Sequence, residues 1–185
     1  AMLWLEEQGG AVNALNVFPV PDGDTGTNML LTLRSAWKEV AGLPEDNVGP
    51  LAHSLAYGAL MGARGNSGVI LSQLLRGFAR ALEGLVSFDG TQLAKALKEG
   101  SATAYKGVIK PVEGTILTVS KDVAAAAEEA ARQTRDLRQI LEHLVLAAHE
   151  SVARTPRLLS VLAEAGVVDA GGQGLAVILE GMARH

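Results

Sequence analysis

Two aspartates stand two positions apart in the run Asn16-Val17-Phe18-Pro19-Val20-Pro21-Asp22-Gly23-Asp24-Thr25-Gly26-Thr27-Asn28-Met29. Pro19 and Pro21 hold the approach extended and remove two backbone donors. A helix-forming stretch follows, Met29 to Trp37, so Asp22 and Asp24 are expected in a loop that feeds a helix N-terminus. Such a terminus offers unpaired N–H groups and the positive end of the macrodipole, which suit phosphate. Carboxylate oxygens are hard ligands and suit Mg²⁺ shared with phosphate oxygens. Gly23 and Gly26 leave room for close backbone approach. The chemistry indicated is a Mg²⁺–nucleotide phosphate site. The plainer reading is a surface turn with an Asp helix cap, because Asp-Gly is a common turn dipeptide. A calcium EF-hand loop is excluded: its fifth, sixth and twelfth positions would be Gly26, Thr27 and Leu33, where Asp or Asn, Gly and Glu are required.

Three further loops carry unusual residues. In Gly62-Ala63-Arg64-Gly65-Asn66-Ser67-Gly68 the glycines and the serine are able to wrap a phosphate with backbone N–H groups. The Lys-Ser/Thr ending of a P-loop is missing, and a tight turn between helices capped by Asn66 or Ser67 is the alternative. Arg64 sits where its guanidinium could stabilise transferred charge. In Lys110-Pro111-Val112-Glu113-Gly114-Thr115, Thr115 either bonds a ligand or caps the next helix. Asp169-Ala170-Gly171-Gly172-Gln173-Gly174 suggests close backbone approach or a flexible turn, and it is no Rossmann fingerprint, since no strand precedes it. His53, His143, His149 and His185 share no metal-ligand spacing and read as structural or surface residues, as do Arg76 and Arg80. Trp4 and Trp37 read as core or interface anchors.

The elements that must position these loops are helical. No alternating strand pattern occurs. The periodicity predicts helices from Met2 to about Gln8, stopped by Gly9-Gly10, then over about 25–40, 48–63 and 67–85. The last of these is apolar on more than one face, through Ile70, Leu71, Leu74, Leu75, Phe78 and Leu82. Asp89 and Gln92 form a capping box that opens a helix to about Lys106. A sixth runs over about 115–132, with Ala124 to Ala127 allowing close contact, and a seventh from Asp136 to about Arg154. Thr155-Pro156 reads as a cap plus N1 proline that starts a short segment to Ala165. The last helix is expected over 175–184. About eight helices with short connections favour antiparallel neighbours. In that arrangement the loops before the second, fourth, sixth and last helices meet at one end.

Composition bounds the class. The chain has 185 residues, enough for one domain, and is 48% hydrophobic but only 4% aromatic, so its core is built from Ala, Leu, Val and Ile. A net charge of −4 argues against nucleic acid as a partner. The lack of cysteine excludes disulfides and thiolate metal sites. No apolar run reaches the ~20 residues of a membrane span, and the opening residues lack the form of a signal peptide, so a cytoplasmic protein is expected. Both ends fall in helical stretches, which suggests a fragment of a longer chain.

The runs 16–29 and 63–73 resemble the N-terminal kinase domain of bacterial fatty acid kinase, in its ATP-binding component. That domain is similar to the nucleotide-binding L subunit or domain of dihydroxyacetone kinase. Pro111 to Thr118 and Asp169 to Leu175 match as well, so the resemblance covers nearly the whole chain. It implies an all-α, antiparallel up-and-down barrel of about eight amphipathic helices forming a single domain over 1–185. ATP or ADP would sit at one end. Asp22 and Asp24 would hold Mg²⁺, and Asn16 is the nearest counterpart of a further upstream aspartate found in dihydroxyacetone kinases. Thr25, Gly26, Thr27 and Asn28 follow the metal ligands into the helix. Gly65, Asn66, Ser67 and Gly68 match the phosphate-wrapping loop. Thr115, Asp169, Gly171 and Gly172 match segments near the nucleoside. The implied reaction is phosphorylation of a fatty acid carboxylate presented by a separate DegV-like protein. That carboxylate is already ionised, so no general base is needed. Positioning and charge neutralisation by metal, backbone N–H groups and Arg64 then suffice. Full-length members carry further regions implicated in dimerisation and in holding the acyl carrier, so a homodimer through regions outside this chain is expected. Two other readings stand beside this one: a nucleotide-binding protein of the dihydroxyacetone kinase type that uses a small ketose, and a helical scaffold without catalysis. Asn16 and Phe18-Pro19-Val20-Pro21 favour the first reading over the second, and intact Asp22 and Asp24 argue against the third.

Overall fold

The computed structural model of the chain describes residues 1–44 and 46–184. Among these residues it is all-helical, with elements α1 (Met2–Ala14), α2 (Thr25–Val40), α3 (Val48–Met61), α4 (Gly65–Ala81), α5 (Gly90–Gly107), α6 (Ile116–Gln133), α7 (Leu137–Leu158), α8 (Ser160–Ala165) and α9 (Ala170–Ala183). Neighbours in sequence pack side by side from α1 to α7, and α9 lies against α1, α2, α6 and α7, so the helices close into a ring. The Ala1 ammonium donates to the Gly181 carbonyl at 2.9 Å and the Trp4 indole to Glu180 at 2.6 Å, fastening the first helix to the last.

Several helix starts follow from local chemistry. Asp89 accepts from the N–H groups of Thr91 and Gln92, and the Gln92 side chain accepts from the Asp89 N–H at 2.9 Å, completing the expected capping box. Asn47, Thr115, Asp136 and Asp169 cap α3, α6, α7 and α9.

Four boundaries differ from the sequence expectation, each for a packing reason. The first helix does not stop at Gly9-Gly10 but runs on to Ala14. Glycine inside a helix costs roughly 1 kcal/mol relative to alanine, but stopping there would forfeit burial of Val12 and the reach of Asn13 to the next helix. The fourth helix begins at Gly65 rather than Ser67 and ends at Ala81. The freed residues Leu85 and Val86 give their carbonyls to the N–H groups of Gly49 and Val48, both at 3.0 Å, at the start of α3. Thr155-Pro156 starts no new segment; it lies within α7. Proline leaves the Val152 carbonyl without its helical donor, and the buried Thr155 hydroxyl takes that place at 2.7 Å. The last helix begins at Ala170, so Gly171, Gly172 and Gly174 are helical. A Cβ on Gly174 would meet the Met29 sulfur at 2.5 Å and one on Gly172 would meet Val119 at 2.8 Å. These glycines let α9 lie close against α2 and α6.

The buried core falls into three clusters. Leu93, Val119, Val123, Ile140, Leu144, Val152 and Leu179 bring α5, α6, α7 and α9 together. Met29, Leu71, Ile116, Ala170 and Val177 form a second cluster, and Ala52, Ala56, Ala79, Leu82 and Ala96 a third between α3, α4 and α5. Between the helices lies an apolar hollow of about 730 Å³, lined by side chains such as Leu74, Phe78, Leu97, Leu144 and Leu179. Trp37, expected as an anchor, is 54% exposed and stands at its edge. The described residues include no helix long and apolar enough to cross a membrane.

Candidate functional site

The first turns of α2, α4, α6 and α9 and the last turn of α5 surround one cleft of about 720 Å³. The four unusual loops thus meet at one end of the ring. Eleven of the residues singled out in the sequence line the cleft: Asn16, Asp22, Asp24, Thr25, Asn28, Gly65, Asn66, Ser67, Thr115, Asp169 and Gly171.

The acidic loop is built by two asparagines from the end of α1. The Asn13 side-chain oxygen accepts from the N–H groups of Gly26 and Thr27 at 2.8 and 3.2 Å, and its amide donates to the Thr27 hydroxyl at 2.9 Å. Asn16, 7% exposed, donates to the Val20 carbonyl at 2.9 Å and accepts from the Asp24 N–H at 3.2 Å. The Phe18–Pro19 peptide bond in this loop is cis. Asn16, expected as a metal ligand, therefore braces the loop with both ends of its amide. Asn13 does for α2 what a bound phosphate would have done, so the N-terminus of α2 is not the open anion site that the sequence suggests.

The open N-terminus belongs to α4. Its cap residue is Arg64, which makes no side-chain cap bond. The Gly68 N–H bonds the Arg64 carbonyl at 2.9 Å, and among the described residues the N–H groups of Gly65, Asn66 and Ser67 ahead of it have no protein acceptor. Gly65 takes a left-handed φ of +56°, and any side chain there would collide with the Asn28 amide. Ser67 sends its hydroxyl toward the Thr25 carbonyl at 3.4 Å. Three backbone donors thus face a cleft that also holds the acidic pair.

Asp22 is exposed, Asp24 is half-buried, and among the described residues neither carboxylate has a hydrogen-bond or ion-pair partner. Two unpaired hard anions beside unpaired N–H donors fit a divalent cation that shares phosphate oxygens. No group of three or more His, Cys, Asp or Glu gathers for a metal among the described residues. Water and phosphate oxygens would therefore complete any Mg²⁺ shell, as is usual for that ion.

On the far wall, Asp169 is 4% exposed and its carboxylate accepts the Gly172 N–H at 2.7 Å, while its own N–H donates to the Thr155 hydroxyl. Burial pushes its pKa up to about 6, against the opposing pull of the Gly172 and Ile116 N–H groups. Thr115 caps α6 through Leu117 and donates to the Val112 carbonyl at 2.8 Å. The α5–α6 loop is pinned at its base by Glu113. The Thr118 hydroxyl, foremost, holds that carboxyl below its usual range, and Lys121 pairs with it at 3.1 Å.

Five expected residues are not brought to the cleft. Gly26 is buried where a Cβ would meet the Gly9 carbonyl at 2.6 Å. Thr27 is held by Asn13, Gly68 packs on the Thr32 hydroxyl, and Gly172 packs on Val119. Arg64 is exposed away from the lining, with its backbone N–H on the Thr32 hydroxyl at 3.2 Å. The cleft instead contains Lys110, a cation that sequence reasoning passed over. Its place beside Pro111 in an already suspicious loop was the signal available. His53, His143 and His149 stay out of the cleft. His149 pairs with Glu180 at 2.5 Å, His143 bonds the Gln139 carbonyl, His53 is exposed, and His185 lies outside the described residues.

Comparison with known proteins shows the family. Residues 19–184 match the family model of the DAK2 domain, the kinase-associated, nucleotide-binding domain of the dihydroxyacetone kinase L-subunit type. Proteins of Staphylococcus aureus strains bovine RF122, USA300 and N315, each named only as an uncharacterized protein, are 52% identical over 177 residues. The match takes in 96% of this chain but 32% of each relative, so the chain spans about a third of the length of these curated relatives. With the family model matched from residue 19 to residue 184, the chain belongs to the DAK2 domain family.

Proposed function

We propose that this chain is the Mg-ATP-binding phosphotransferase domain of a fatty acid kinase, transferring the terminal phosphate of ATP to a fatty acid carboxylate held by a DegV-like partner. One observation carries the reading: the acidic pair and the uncapped N-terminus of α4 open into the same cleft. Asp22 and Asp24 would hold Mg²⁺, which supplies charge neutralisation for the phosphates when bound. The N–H groups of Gly65, Asn66 and Ser67 would receive phosphate oxygens, and the buried caps at Asp169 and Thr115 would hold the opposite wall.

Among the described residues no histidine lines the cleft, which suits an acceptor that needs no deprotonation. A carboxylate is ionised at neutral pH, so its oxygen is ready to attack phosphorus once positioned in line. A second reading, a small ketose as acceptor, is favoured by the DAK2 match itself.

The test supplies Mg-ATP with either a fatty acid on its DegV-like carrier or dihydroxyacetone. Acyl phosphate, trapped by hydroxylamine as the hydroxamate, is the expected product. Ketose phosphate alone would replace this reading with the second. Failure to bind Mg-ADP in calorimetry would leave only a scaffold.

A further inference from the structure

We propose that Lys110 is the protein's own cation for the polyphosphate chain of the bound nucleotide. This inference rests on the nucleotide reading of the cleft. Among the described residues, the charged side chains lining that cleft are Asp22, Asp24, Asp169 and Lys110. A nucleotide di- or triphosphate entering there brings several negative charges toward three carboxyl groups, so positive charge must be supplied. Divalent metal on the acidic pair supplies part of it. Arg64, the cation that the sequence offered, does not line the cleft, and Lys110 does.

The loop is built so that this ammonium is available. Its nearest acid along the chain, Glu113, is already engaged by Lys121, Thr118 and Tyr105. Lys110 itself has no ion pair among the described residues, although three carboxyl groups share its cleft. The base of the loop is fixed. Gly114 has a φ of +82°, its N–H donates to the Thr118 hydroxyl at 2.8 Å, and a Cβ there would meet Leu158, Leu159 and the Thr155 carbonyl at about 3 Å. The tip stands in solvent, with Ile109 99% exposed and Lys110 beside it. α2 borders α4 and α9, while α6 borders α5 and α9. The α5–α6 loop therefore lies across the cleft from the acidic loop. A phosphate chain seated on the α4 N-terminus has carboxylates with metal on one side and Lys110 on the other.

Calorimetric titration of wild type, Lys110→Gln and Lys110→Arg with Mg-ADP and with Mg-AMP-PNP, at low and high salt, tests this. Lys110→Gln should weaken both nucleotides by about tenfold and flatten the salt dependence, while Lys110→Arg restores most of the affinity. Lys110 is exposed, so circular dichroism and melting should be unchanged. Affinities within about twofold of wild type in Lys110→Gln, or an arginine variant as weak as the glutamine one, would overturn the proposal while leaving the nucleotide reading standing. If wild type binds neither nucleotide, that reading fails and this assignment falls with it.

Discussion

The cleft and the hollow are nearly equal in size, about 720 and 730 Å³, and α2, α4, α5, α6 and α9 contribute to both, yet their chemistry differs. The cleft is made mostly of helix beginnings, where Asn, Asp, Ser and Thr gather and the first donors of α4 are unspent. The hollow is made mostly of helix interiors, where backbone groups pair within the helix, and Leu, Val, Phe and Ala dominate the lining. The contrast teaches that position along a helix decides what a cavity can bind. An antiparallel ring divides its N-termini between its two ends; at this end those of α2, α6 and α9 are capped by side chains, and α4 alone offers uncapped donors and the positive end of its dipole. The interior gains nothing from the dipoles and depends on burial alone.

The contrast breaks most visibly at the acidic pair. Asp22→Ala and Asp24→Ala should each remove Mg²⁺-dependent nucleotide binding, to no saturation at about 1 mM nucleotide, while the melting temperature and helical circular dichroism hold. Loss of fold instead would mean that these carboxylates are structural. The opposite result is expected in the interior. Leu144→Ala, at a fully buried position beside the hollow, should cost about 2–5 kcal/mol in urea denaturation yet leave nucleotide affinity near wild type. Coupled losses would show that the two compartments are not independent.

Asp169 sharpens the comparison through pH. Its folded pKa of about 6 lies above the ordinary 3.8, so the fold favours its protonated form. Its stabilising share is complete below about pH 4 and is lost as pH rises through 6, an amount on the order of 2–3 kcal/mol. Asp169→Asn keeps an oxygen for the Gly172 N–H and should flatten this part of the stability-versus-pH curve. An unchanged curve would place the titration elsewhere. The smallest effect belongs to Asn13→Ala, which removes the cap on α2 and should cost about 1 kcal/mol. It should also disorder the approach to Asp24 enough to weaken metal binding, which a Mg²⁺ titration would detect.

Much of this was legible in the sequence where local chemistry decides. The bounds of α2 and the capping box of α5 need only their own residues, and the meeting of the four loops follows from counting antiparallel helices. What stayed hidden is set by neighbours. Gly9-Gly10 and Gly171-Gly172 read as breakers, yet both pairs lie inside helices, and only the partner helix reveals that Gly171 and Gly172 pack closely on Ile116 and Val119. Pro156 reads as a start because nothing local says that the Thr155 hydroxyl will serve the Val152 carbonyl. Arg64 and Lys110 differ by contacts the sequence does not display: the Arg64 N–H is held by Thr32, 32 residues away along the chain, and Glu113, three residues from Lys110, is taken by Thr118 and Lys121.

The thioether of Met29 stands at the boundary. Ile116 beside it opens to the polar end, and Leu71 and Ile178 beside it open to the apolar interior. Gly174 leaves the space that this sulfur fills. One methyl group added at position 174 would act as a wedge in a bulkhead, forcing the thioether toward one chamber or the other and linking two spaces that the native packing keeps apart.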